Sequence, residues 1–220
     1  MLTIASWNVN SIKARLAHLQ RWLADFGPDV VLLQETKAIR EAFPWQEITD
    51  AGYNAATVGQ KTYNGVAVLS RRPIDVLATA LPGDDGDDQA RYLEVFTAGF
   101  RGASLYVPNG NPVESVKFPY KLGWLDRCYR HAESVLASGD CVVFGGDFNI
   151  APAANDVYDP DGWKNDALCR PESRAVFRKL LYLGLIDALR ARAPDAVGPY
   201  TWWDYRRGAF AADEGLRIDH

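Results

Sequence analysis

Six oxygen- or amide-bearing side chains close apolar runs in this chain of 220 residues. Asn8 and Asn10 end "LTIASWNVN", Glu35 ends "DVVLLQE", Asp147 and Asn149 end "VVFGGDFNI", and Asp219 ends "LRID". Residues i and i+2 of a strand share a face, so Asp147 and Asn149 are expected to point one way and Phe148 the other, into packing. A lone asparagine at a strand end is ordinary turn chemistry. The same spacing used twice, beside carboxylates, points instead to a site. Hard oxygen donors without a Cys or His cluster suit Mg2+ or Mn2+ better than zinc.

Regular elements must deliver these positions. Residues 2–7 read as a strand, Leu16, Leu19, Leu23 and Phe26 follow helical spacing up to Gly27, and "DVVLLQE" is a second strand closing on Glu35. From Lys121 another helical stretch carries Leu122, Leu125, Tyr129, Ala132 and Leu136, breaks at "SGD", and leads into "CVVFGGD", which closes on Asp147. The phrase of helix, break, apolar strand and terminal acid thus occurs twice. Two related halves facing each other would bring Glu35 and Asp147 together, whereas one shared phrase is too little for a solenoid.

The runs "NGVAVLSRR", "ARYLEVFTAGF" and "GASLYVP" predict an antiparallel meander, and "GDDGDDQ" at 83–89 a solvated loop. After Asn149 a loop rich in Pro, Asp and Asn extends to about Pro171. A helix over 172–183, a short helix from Ile186, and a strand, aromatic loop and further strand start in "YTWWDYRRGAFAADEGLRIDH" complete the chain. With no low-complexity linker, the expectation is one domain over 1–220, a two-layer sandwich flanked by helices.

Composition removes several classes. Hydrophobic residues at 48% and charged residues at 24% match an ordinary globular protein, which sets disorder and fibrous classes aside. The net charge of −4 lacks the basic footprint of bulk-charge nucleic-acid binding, although enzymes that cleave phosphodiesters collect carboxylates for metal and can still present a local basic rim. Cys128, Cys141 and Cys169 are widely spaced and odd in number, so neither a disulfide framework nor a zinc site is indicated and a reducing cytoplasm fits. Neither a signal peptide nor a membrane span is expected.

Other candidates meet plainer readings. "DPDG" at 159–162 fails as a calcium loop, since aligning its glycine puts Val157 at the first ligand position and Leu168 where the bidentate glutamate belongs. His18 and His131 fall in helical stretches as surface or interhelix residues, and His220, next to Asp219, would face away from it in a strand. Lys37, Lys61, Arg91, Lys117, Lys121, Arg206 and Arg207 read as solvated cations that would contact phosphates if their loops met at one rim. Trp202, Trp203, Tyr205 and Phe210 form either a nucleic-acid surface or a core edge.

With "WNVNSIKAR", "LLQETK", "YVPNG", "KFPYK", "GDFNIAP" and "WWDYR…GLRID" in that order, the chain resembles the exodeoxyribonuclease III and apurinic/apyrimidinic endonuclease family, essentially end to end. The resemblance implies the α/β (α+β) fold of the endonuclease/exonuclease/phosphatase superfamily, a four-layered αββα sandwich of two mostly antiparallel sheets flanked by helices. It implies a Mg2+ site, open to Mn2+, made by Glu35 as principal ligand with Asn8, Asn10, Asp219, Asp147 and Asn149. The implied catalytic residues are Tyr106, Asp147, Asn149 and Asp219. Among them Asp147 orients or activates the attacking water, Asn149 holds the phosphate or transition state, and Tyr106 contacts the phosphate as phenol or phenolate. Lys37, Lys117, Trp202 and Arg206 would bind DNA, with Trp202 pressing into the gap left by a missing base.

Members of that family continue past the segment matching "RID" to a late Ser-Asp-His segment whose histidine contacts the scissile phosphate, whereas His220 matches a variable position. The expectation is a C-terminally incomplete piece of a longer protein, with the last strand or strands of a sheet missing. The parent would be a monomeric, cytoplasmic, Mg2+-dependent hydrolase of base excision repair. It would act on duplex DNA as a 3′-to-5′ exonuclease and hydrolyse the phosphodiester 5′ to abasic sites. The alternatives are a superfamily phosphatase or phosphodiesterase acting on a small phosphoester, or a catalytically impaired DNA-binding fragment.

Overall fold

The computed structural model describes residues 2–220, which form two compact units: one runs to Tyr106 and includes Ala137–Asp147, the other comprises Val107–Leu136 and Phe148–His220. In chain order the elements are β1 (Ile4–Asn8), α1 (Ile12–Phe26), β2 (Val30–Gln34), α2 (Trp45–Asp50), β3 (Asn54–Val58), β4 (Val66–Ser70), β5 (Asp75–Ala78), β6 (Tyr92–Thr97) and β7 (Phe100–Tyr106). They continue with α3 (Lys117–Leu136), β8 (Val142–Asp147), α4 (Pro160–Trp163), α5 (Pro171–Tyr182), α6 (Ala188–Arg192), β9 (Trp202–Trp203) and β10 (Gly215–Leu216).

The first unit holds two four-stranded sheets, ordered β1-β2-β4-β3 and β5-β6-β7-β8. Each is antiparallel except for one parallel pair, β1 with β2 and β7 with β8. Strands β2 and β4 are buried throughout, and their period-2 alternation serves two cores. Val31, Leu33, Ala67 and Leu69 pack with Ile12, Leu19 and Leu23 of α1 and Ile48 of α2. Val30, Leu32, Val66 and Val68 pack with Leu93, Val95 and Phe100 of the second sheet. Helices, first sheet and second sheet therefore stack in that order. Full burial of each Leu or Val contributes about 1.5–3 kcal/mol, which is why a continuous apolar run sits at the sheet centre. The architecture is mixed α/β, with two mostly antiparallel sheets flanked by helices.

The expected single meander is corrected. β4 belongs to the first sheet, between β2 and β3, where "VAVL", apolar on both faces, suits a central position, while β5, β6 and β7 run as neighbours in the second. α3 begins at Lys117, before the expected Lys121. Pro119 lies in its first turn, where a missing N–H removes no intrahelical bond. Phe26, expected on the buried stripe of α1, is exposed.

In the second unit α3 packs on α5, and Ala151, Val157, Leu168, Cys169, Leu216 and Ile218 form a core joined by Trp163 and Trp202. Arg217 is fully buried, with its Nε 2.6 Å from Asp156 Oδ1 and its Nη2 2.8 Å from Asp187 Oδ2. Among the described residues no helix is long and apolar enough to cross a membrane.

Candidate active site

Both parallel pairs of the first unit end in polar residues. Asn8 is paired with Gln34 at the end of β1 and β2, with Glu35 next in the chain, and Tyr106 is paired with Asp147 at the end of β7 and β8. One amide joins the two sheets: Asn8 Nδ2 donates to Glu35 Oε1 and to Asp147 Oδ2, each at 2.9 Å. This is the meeting of Glu35 and Asp147 that two facing halves predict. Glu35 Oε2 lies 2.9 Å from Lys37 Nζ, which also donates to Asn10 Oδ1 at 2.5 Å. Asn8 Oδ1 accepts the Asn10 backbone N–H at 3.0 Å. Below the site, the buried Gln34 donates to Ser104 Oγ at 3.1 Å, and Ser104 donates to Leu33 O at 3.0 Å, so a polar bridge pins the sheets beneath Glu35.

The backbone here is strained. Asn10, Glu35 and Lys37 have φ of 42°, 51° and 51°, a left-handed region that non-glycine residues seldom occupy and that collects at functional sites. The strain is held by lacing: Ser11 N donates to Glu35 O at 2.7 Å and Ile12 N to Thr36 O at 3.0 Å. Gly146, just before Asp147, has φ 146°, and a Cβ there would lie 2.0 Å from Leu105 O. The glycine preceding the acid is thus a condition for β8 to lie against β7.

Charge is set by these contacts. Burial pushes the Glu35 carboxyl up, but the Asn8 amide, the Lys37 ammonium and the Tyr106 hydroxyl together bring it below its ordinary value, so it stays ionised. Burial and the Glu35 and Asp147 carboxylates push the Tyr106 phenol far above its ordinary 10. Burial first, and then the facing Glu35 and Asp147 carboxylates, favour the neutral phenol over the phenolate at Tyr106 in the metal-free chain.

The second unit carries the remaining candidates. Asn149 lies beyond the end of β8 with φ 49°, so strand alternation does not set its direction as the spacing suggested. Its Nδ2 donates to Val107 O at 2.9 Å, and its Oδ1 accepts from Asn109 Nδ2 at 3.0 Å. Asn109 was not singled out by sequence; its signal was its place in "YVPNG", without a strand end to mark it. Phe148 is buried and meets Phe177 edge-on, as expected. Burial pushes the Asp219 carboxyl up to about 6. His220 is used in packing, its ring against Phe148 and Phe177 and its Nε2 2.8 Å from Ile150 O.

Of the DNA-binding candidates, Lys37 is bound within the carboxylate cluster, and Lys117 is exposed at the start of α3. Trp202 packs edge-on to Trp163 at 6.0 Å, and Arg206 is exposed and paired with Asp204. Lys121, read as a solvated cation, is fully buried. Tyr205 and Phe210 are exposed beside Arg206.

Among the described residues no group of three or more His, Cys, Asp or Glu side chains is placed to hold a metal. The donors of the first unit are two carboxylates and amide oxygens, and Mg2+ is commonly held by one or two carboxylates with water and substrate phosphate, so this set fits it. A family model described as the Endonuclease/Exonuclease/phosphatase family matches residues 5–220. The chain belongs to this endonuclease/exonuclease/phosphatase family. Within the family its relatives are exodeoxyribonuclease III and AP endonuclease enzymes. The exodeoxyribonuclease III of Haemophilus influenzae is 32% identical over 98% of this chain and 85% of its own length. An AP endonuclease from Archaeoglobus fulgidus superposes with a TM-score of 0.95 at 36% identity, covering 100% of this chain and 85% of that one. A 3′ phosphatase from Neisseria, bound to product DNA hairpin, gives 0.97 at 40% identity with the same coverage of 100% and 85%.

Proposed function

We propose that this family member is a Mg2+-dependent DNA repair nuclease that trims 3′ ends of duplex DNA and hydrolyses the phosphodiester 5′ to abasic sites. The observation that carries the reading is the Asn8 amide nitrogen 2.9 Å from both Glu35 Oε1 and Asp147 Oδ2. Carboxylates gathered this closely repel one another, and a divalent cation relieves the repulsion. Within the first unit Glu35 with Asn8, Asn10 and Asp147 would hold Mg2+, with Mn2+ as a substitute. Once bound, such an ion neutralises charge on the phosphate and lowers the pKa of water.

The chain's own residues do the rest. Asp147 accepts the proton of the attacking water, and Asn8 keeps its carboxylate turned toward that task. Tyr106, as a neutral phenol, donates its hydroxyl to a phosphate oxygen. In the second unit the Asn149 amide, oriented by Asn109, serves a phosphate oxygen. Asp219 acts in its ionised form. Lys37, Lys117 and Arg206 supply local positive charge for the backbone of duplex DNA on a chain whose net charge is −4, and Trp202 serves the abasic gap. The three free cysteines suit a reducing, cytoplasmic setting, with the chain acting as a monomer.

A phosphomonoester at a DNA 3′ end is a second substrate, favoured by the 40% identity to the Neisseria 3′ phosphatase. The test is incubation of the chain with duplexes carrying an abasic site, a recessed 3′ end or a 3′ phosphate, with Mg2+ or with chelator, read on denaturing gels. The expected result is metal-dependent turnover that Asp147→Ala lowers by about 100-fold or more. Absence of turnover on all three by a folded chain, or turnover indifferent to Asp147→Ala, would overturn the reading. Tight binding of the abasic duplex without turnover would identify a DNA-binding protein instead.

A further inference from the structure

Lys121 is a buried cation outside the proposed metal site and DNA contacts. It lies in α3, is fully buried, and its Nζ donates to three main-chain carbonyls: Asn109 O at 3.1 Å, Asn149 O at 2.6 Å and Ala167 O at 3.1 Å. An ammonium has three N–H donors, and here they meet carbonyls from three separate segments: after β7, after β8 and ahead of α5. Bonds from a charged donor are shorter and stronger than neutral ones, so one atom ties three loops together.

The loops are shaped around this side chain. Gly110 has φ 89°, and a Cβ there would lie 2.7 Å from Lys121 Cδ, so the loop after β7 closes on the lysine stem. Asn111 fastens the same loop to the third segment, accepting from Ala167 N at 3.1 Å and donating to Asp166 Oδ1 at 3.0 Å. Two of the three carbonyls belong to Asn109 and Asn149, whose side chains bond each other at 3.0 Å. Lys121 therefore holds the main chain of both partners in the amide pair.

We propose that Lys121 is a positioning residue for hydrolysis: its buried ammonium fixes the backbone of Asn109 and Asn149 so that the amide pair is held in one orientation before substrate arrives. The proposal rests on the reading that Asn149 serves the phosphate. A methionine would carry a similar apolar stem, so the ammonium is there for its donors rather than for packing. Displacing such a group by about 1 Å can cost about 100-fold in rate.

Three variants of the chain test this: Lys121→Met, which removes the donors; Lys121→Gln, which keeps two; and Leu125→Ala, a core cavity one turn along the same helix that leaves the Lys121 donors in place. Single-turnover kcat and KM are measured on abasic duplex with Mg2+, and amide hydrogen exchange is measured over 107–111 and 148–151. For Lys121→Met we expect kcat to fall about 100-fold with KM within about threefold, and Lys121→Gln to lose about tenfold. Exchange should accelerate in both segments while β1 and β2 stay protected. Leu125→Ala should lower the melting temperature and keep kcat within about threefold of wild type. A folded Lys121→Met or Lys121→Gln with wild-type kcat, or with unchanged exchange, overturns the proposal. So does a Leu125→Ala that reproduces both losses at matched stability. Should the wild-type chain cut none of the DNA substrates, the functional reading fails, and exchange alone decides whether Lys121 holds the two loops.

Discussion

Asn8 carries an unusual demand, since its one NH2 group serves two carboxylates from two sheets. Hydrogen bonds to charged groups are worth about 1.5–3 kcal/mol each, so Asn8→Ala should lower single-turnover cleavage of abasic duplex by about 100-fold without unfolding the chain. Asp219 makes a different prediction. Burial raises its carboxyl to about 6 in the folded chain, above the ordinary 3.8. A raised acid is ionised more easily in the unfolded state, so its destabilising effect is absent below about pH 4 and grows as pH rises through 6. Asp219→Asn should therefore stabilise the metal-free chain at pH 7 by up to about 3 kcal/mol, a gain that shrinks toward pH 4 in urea titrations with chelator. At this scale Asn8, Glu35 and Asp147 were legible because each polar side chain interrupts an apolar strand at its end. Lys121 was not, because a lysine in an amphipathic helix reads as solvated until the carbonyls that surround it are known. The upward shift of the Tyr106 phenol comes from burial and then from Glu35 and Asp147, carboxylates distant in sequence, and no local pattern reports it.

Among the elements, the strands that carry the site were the easiest to read. β2 and β8 are apolar runs that lead to acids, Glu35 just past β2 and Asp147 at the end of β8, and α1 is closed by Gly27 in a left-handed cap. α2, β3 and β5 went unread for physical reasons. α2 has six residues, too few to show a helical period, β3 is alanine-rich "NAATV", and β5 at the sheet edge is largely exposed and shows no alternation. The sheet to which β4 belongs is a matter of long-range pairing, which its own sequence does not encode. The element scale also makes Gly146 testable. Because a Cβ would meet Leu105 O at 2.0 Å, Gly146→Ala must push β8 from β7 and move Asp147. It should cost about 2 kcal/mol or more in urea denaturation and reduce cleavage, whereas Gly139→Ala, where a Cβ meets nothing but φ is 80°, should cost about 1 kcal/mol.

For the molecule as a whole, the proposed action on a polyanion would require an acidic chain of net charge −4 to place its cations locally, which net charge alone does not report. Global stability has its own electrostatic anchor in the second unit, where the buried Arg217 is held between Asp156 and Asp187 and Arg190 also reaches Asp156. Burial pushes the Asp187 carboxyl up, but the Arg217 guanidinium and the Arg190 N–H carry it below its ordinary 3.8. A depressed acid contributes stability that is present above its unfolded value and lost as pH falls through the folded one. The melting temperature should therefore fall steeply below about pH 4, and an Asp187→Asn variant should show a shallower fall, as read by calorimetry.

The central claim is that Glu35 and Asp147, with Asn8 between them, form a metal-dependent centre. Its most direct test is a Mn2+ titration followed by the free-ion EPR signal, on the wild-type chain and on Glu35→Gln. Wild type should take up the ion, and Glu35→Gln should lose about tenfold or more in affinity. Equal uptake by a folded Glu35→Gln, or no uptake by wild type, would contradict the account.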